Sequence, residues 1–161
     1  MINDKKFQEI SLERLNTLNP KISNSAITII TDLWKERVPI YVLWGSRTIE
    51  EQNMMYRFGR TLPGDILTTK RGGFSPHNYG LAFDFCFITG GKMVGWDVVH
   101  SIPYQRARWI RTIGRFQAEG WESGFRWPSF EPGHMQKMLG YSVGDLHQLY
   151  EQESQNRYNR I

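Results

Sequence analysis

The run Leu81-Ala82-Phe83-Asp84-Phe85-Cys86-Phe87-Ile88 alternates large and small side chains with a period of two, the repeat of a β-strand rather than of a helix. Leu81, Phe83, Phe85 and Phe87 are predicted to face a core. Ala82, Asp84, Cys86 and Ile88 take the other face, which sets Asp84 between small residues where a ligand has room. Gly90-Gly91 then forms a hairpin turn and Lys92 to Val94 the return strand, so the pairing there is antiparallel.

Helical periods surround this strand. Phe7 to Leu18 carries Phe7, Ile10, Leu12, Leu15 and Leu18 near a 3.6 spacing and stops before Pro20. A second helix is predicted from Ser23 to Arg37, and Ile40 to Trp44 reads as a short buried strand. Thr48 followed three residues later by Glu51 is a capping box that starts a third helix, ended by Gly59. Residues 60–79 form a loop of a length that in a compact domain is functional or disordered. Pro103 to Glu119 is a helix with Trp109, Ile110, Ile113 and Phe116 inside and Gly120 as its cap. A final strand is expected near His134 to Met138, and a terminal helix from Val143 to Asn156. With no repeat and no linker, residues 1–161 are expected to form one domain, the helical segment 141–161 being an extension of it.

Composition excludes more than it selects. A net charge of +4, with basic residues scattered rather than in a stripe, gives a mild attraction to polyanions but argues against a nucleic-acid surface. The single Cys86 cannot form an internal disulfide and reads as a small buried residue. No stretch approaches the roughly 18 apolar residues of a membrane span, and the start of the chain lacks the apolar core of a signal peptide, so export would need another route.

His77, Asp84 and the run Glu131-Pro132-Gly133-His134 supply two imidazoles, a carboxylate ligand and a spare carboxylate, the inventory of a hydrolytic zinc site. Pro132-Gly133 suggests a type II turn that would bring Glu131 and His134 together. A bend at Asn78-Tyr79-Gly80 would let His77 and Asp84 converge. On spacing alone the alternative stands open: a loop histidine, a buried hydrogen-bonded carboxylate and an ordinary turn. His100 and His147 have no partner pattern and read as surface residues.

Ser75-Pro76-His77-Asn78-Tyr79-Gly80-Leu81-Ala82-Phe83-Asp84 resembles the S-x-H-x-x-G-x-A-x-D motif of the zinc peptidases that include D-Ala-D-Ala carboxypeptidases and dipeptidases. Gly45-Ser46-Arg47-Thr48, with Glu51-Gln52, Tyr56 and Gly59-Arg60-Thr61, is similar to the preceding stretch of the L-alanyl-D-glutamate endopeptidase branch, to which bacteriophage endolysins belong. Phe130-Glu131-Pro132-Gly133-His134-Met135-Gln136 is similar to the closing E/D-x-x-H segment. The likeness runs from Ser11 to Met138. It departs at Pro76 and in Trp121 to Trp127, which replaces a Trp-Gly-Gly-Asp-Trp-like stretch and leaves the shape of the cleft open.

This resemblance implies an α+β single domain with a small antiparallel sheet flanked by helices, as in Hedgehog and DD-peptidase folds. It implies one Zn²⁺ per chain held by His77, Asp84 and His134, with Glu131 as catalytic base and Arg47 steadying the substrate carbonyl. Ser75, Lys70 and Arg71 are candidate substrate contacts. The implied substrate is the peptidoglycan stem peptide, cut as an L-alanyl-D-glutamate endopeptidase. The competing expectations are a D,D- or L,D-carboxypeptidase, or a wall-binding module without activity. Such an enzyme would reach the cell wall through phage lysis, a phage tail or a secretion apparatus.

Overall fold

The computed structural model describes residues 4–96 and 102–158. His100 lies outside them. Among the described residues the fold is α+β: α1 (Asp4–Leu15), α2 (Pro20–Lys35), β1 (Ile40–Trp44), α3 (Ile49–Arg57), a 3-10 turn (Pro76–Tyr79), β2 (Ala82–Thr89), β3 (Lys92–Val94), α4 (Pro103–Ala118), β4 (Glu122–Gly124), β5 (Glu131–Gln136) and α5 (Val143–Tyr158). Contacts divide the chain into two compact units. One takes residues up to Ser46 and Gly80–Lys137; the other takes Arg47–Tyr79 and the chain from Met138.

The first unit is built on β2. β1 pairs with one of its edges, while β5 and β3 share the other at opposite ends, and β4 pairs with β5, all antiparallel. Phe83, Phe85 and Phe87 are fully buried and pack against α4, with ring centroids 4.9 Å apart for Phe85–Trp109 and 5.5 Å for Phe83–Phe116. Aromatic contacts of this kind add about 0.5–1.5 kcal/mol each beyond their area. The opposite face is less open than the alternation suggests: Ala82, Cys86 and Ile88 are all buried, and Asp84 alone is part-exposed. Burial also pushes the Cys86 thiol up to about 12.

The helices of this unit start where their caps dictate. Asn19 accepts from the Lys21 N–H at 3.0 Å and Pro20 occupies the first helical position, so α2 begins three residues before the predicted Ser23. α1 buries Phe7, Ser11 and Leu15, whereas Ile10 and Leu12 are only half-buried. Ser11 donates to the Phe7 carbonyl and accepts the Val42 N–H at 3.0 Å, tying α1 to β1. In α4, Trp109, Ile113 and Phe116 are buried as expected, but Ile110 is 49% exposed. It lies only one residue from Trp109, and so turns away from the face that Trp109, Ile113 and Phe116 share.

In the second unit the Thr48–Glu51 capping box is complete, with Glu51 N–H to Thr48 Oγ1 at 3.0 Å and Thr48 N–H to Glu51 Oε2 at 2.8 Å. The long loop after α3 is pinned to it. Gln52 donates to the Lys70 carbonyl at 2.8 Å, and Asn53 accepts the Gly72 N–H at 2.9 Å. Gly72 has no room for a side chain there, since a Cβ would stand 2.5 Å from the Ile49 carbonyl. His147, on α5, is no surface residue: it is half-buried, with its ring 4.4 Å from that of Phe74.

Candidate metal centre

The site grows from the β2–β5 register. Asp84 and His134 are direct cross-strand partners, so their side chains stand on one face as nearest neighbours, and His134 Nδ1 lies 3.1 Å from Asp84 Oδ1. This register corrects the expected turn. Glu131-Pro132-Gly133-His134 is strand, and Gly133 is not among the residues with positive φ, which a type II turn demands of its third position. Gly133 is required for closeness: a Cβ would meet the Phe85 carbonyl at 2.5 Å and the Trp96 ring at 3.1 Å. The strand is nonetheless irregular, the β4 pairing jumping from Ser123↔Met135 to Gly124↔Glu131. Glu131 is exposed at its start.

His134 is 8% exposed, and Trp127 covers its ring at 5.2 Å between centroids. Burial disfavours its charged form, but the hydrogen bond and charge of Asp84, then Gln136 and the charge of Glu131, outweigh that cost and raise its pKa.

In the second unit His77 sits in the 3-10 turn, 3% exposed, and its carbonyl accepts the Arg47 N–H at 2.9 Å. Asn78 braces this turn: its Oδ1 accepts from Gly73 and Ser75, and its Nδ2 donates to the Arg47 and Thr48 carbonyls. Arg47 is 7% exposed, and its Nη1 donates to Gln52 Oε1 at 2.7 Å. Ser75 is buried, while Lys70 and Arg71 are exposed, with the Arg71 guanidinium 5.3 Å from the Tyr56 ring.

His77, Asp84 and His134 form a group whose ligand atoms lie within 4.8 Å of one another. Cys86 is not in the group. Ligand atoms about 2.0–2.1 Å from a tetrahedral zinc stand roughly 3.4 Å apart, close to the separation of His134 and Asp84, and two imidazoles with one carboxylate are a zinc donor set. The residues therefore fit the metal. Gln52, Trp127 and Gln136 support the site without having been given a role in it, and Asn78, expected only as part of a bend, braces the turn that carries His77. Gln136 was within reach of the pattern, two residues beyond His134 in what proves to be a strand.

Comparison with known proteins points the same way. The family model described as D-alanyl-D-alanine carboxypeptidase matches residues 68–137. The peptidoglycan L-alanyl-D-glutamate endopeptidase CwlK of Bacillus subtilis (strain 168) is 30% identical over 115 residues, 71% of this chain and 69% of that protein. The crystal structure of the L-Ala D-Glu endopeptidase ChiX of Serratia marcescens shares the fold, with a TM-score of 0.54 and 23% identity over 81% of this chain and 88% of that one.

Proposed function

Because the chain belongs to the family of peptidoglycan peptidases that these relatives represent, we propose that it is a zinc-dependent L-alanyl-D-glutamate endopeptidase acting on wall stem peptides. The observation that carries the choice of bond is the match to CwlK, which extends over more than two thirds of both chains. The description of the matching family model favours a second reading, a carboxypeptidase that removes terminal D-Ala.

In the proposed reaction His77, Asp84 and His134 hold the ion. When bound, zinc supplies Lewis-acid activation of a water and of the peptide carbonyl. Glu131, exposed at the start of β5, takes the water's proton and hands it to the departing amine. Arg47, a buried cation held by Gln52, steadies the carbonyl oxygen as charge develops on it. Ser75 orients the peptide, and the exposed Lys70 and Arg71 meet the carboxylates of the stem peptide. Delivery by a phage lysis or tail apparatus, or by a secretion route, brings the enzyme to the wall.

The test is digestion of purified muropeptides by the untreated protein, by Glu131→Ala and by chelator-treated protein. New D-Glu amino termini from the untreated protein alone support the proposal; free D-Ala would favour the carboxypeptidase. Equal digestion by all three overturns the metal mechanism.

A further inference from the structure

The sheet face that carries Asp84 and His134 also carries Gln136 and Glu122. Gln136 follows His134 by two residues in β5 and so shares its face, and Glu122 of β4 is the cross-strand partner of Gln136. Their contacts form a directed chain. Gln136 Nε2 donates to Glu122 Oε2 at 2.9 Å, and Gln136 Oε1 lies 3.1 Å from His134 Nε2. A carboxylate only accepts, so Glu122 obliges the carboxamide to turn its NH₂ outward and its oxygen toward His134. That oxygen only accepts as well, which places a hydrogen on Nε2. Asp84, 3.1 Å from Nδ1, is an acceptor too and shares a proton with that nitrogen when the ring is charged; in the neutral ring with its hydrogen on Nε2, Nδ1 carries the lone pair, and an ion beside the carboxylate takes that proton's place.

We propose that Gln136 and Glu122 are positioning residues that fix the tautomer and ring orientation of His134, so that Nδ1 is its metal-binding atom. The inference rests on the zinc reading of the His77–Asp84–His134 group and adds what orients one of its ligands. A hydrogen bond at the far nitrogen of a ligating imidazole holds the ring in place and makes the ligand more basic; losing such a partner costs about 10- to 100-fold in metal affinity.

The test is zinc affinity of the metal-free chain, by competition with a chromophoric chelator, for the parent, Gln136→Leu and the exchanged pair Glu122→Gln/Gln136→Glu, with urea unfolding of each. Gln136→Leu is expected to weaken zinc about 10- to 100-fold while unfolding near the parent's midpoint. The exchanged pair keeps a donor on β4 and an acceptor beside Nε2, and is expected to restore tight binding. In the cobalt(II)-substituted chain the visible spectrum should change for Gln136→Leu and return for the pair. Parent-like affinity in Gln136→Leu overturns the positioning role alone, as does an exchanged pair no better than Gln136→Leu. A parent chain that binds no zinc overturns the metal reading together with it.

Discussion

The residues assigned to chemistry are held in two different ways. Asp84 and His134 stand on paired strands whose backs are filled by aromatic rings, so their separation is set by sheet register and core packing. Arg47 and His77 stand in a segment with one turn of 3-10 helix, where the amides of Gln52 and Asn78 take the place of a ladder. Pattern determines the first region, and individual polar contacts determine the second. The first should fail only with the whole fold. The second should fail locally.

The largest effect tests the sheet. Phe85→Ala removes a fully buried ring between Trp109 and Phe116 and is expected to cost about 3–5 kcal/mol in urea unfolding, with zinc binding lost in the same transition. Zinc binding that vanishes well before the fold would break the comparison. Gly133→Ala drives a methyl against the Phe85 carbonyl, so β5 must shift; about 1–3 kcal/mol is expected, with weaker zinc affinity as the ligand moves.

In the loop region, Gln52→Leu removes one hydrogen bond each from the Arg47 guanidinium, the Thr68 hydroxyl and the Lys70 carbonyl, at a local cost of about 1–3 kcal/mol. Amide exchange and proteolysis should rise across residues 60–79 at urea concentrations that still leave the sheet of the first unit intact. A matching drop in global stability would show that the two regions open together. The smallest effect concerns Cys86. Its thiol, raised to about 12 in the fold against roughly 8.5 in the unfolded chain, should resist alkylation at pH 8 until urea is added. Above roughly pH 8.5 the unfolded chain ionises first, so stability falls as pH rises toward the folded value.

The division between the regions also explains what could be read before the fold was in view. β2, the β2–β3 hairpin and the α3 capping box carry short-range signals, and all three form as expected. The residues quoted for the metal also come together. Pro132-Gly133 misled because glycine serves two purposes, positive φ and close approach, and sequence does not separate them. β4 has no apolar residue to announce it, being Glu-Ser-Gly. Asn19-Pro20 marks the start of α2, though the proline alone reads as an end. The braces from Gln52 to Lys70 and from Asn78 to Arg47 and Thr48 were hidden because they join residues far apart in the chain.

Asp84 and His134 are fifty positions apart and meet only through β2–β5 pairing. No local stretch contains the pair. A chain still on the ribosome with β2 complete but β5 unmade lacks one of the two neighbouring ligands, and so does any fragment cut between the strands. The two neighbouring ligands are therefore brought together only when β5 pairs with β2, so assembly of the metal pair and completion of the sheet are one event.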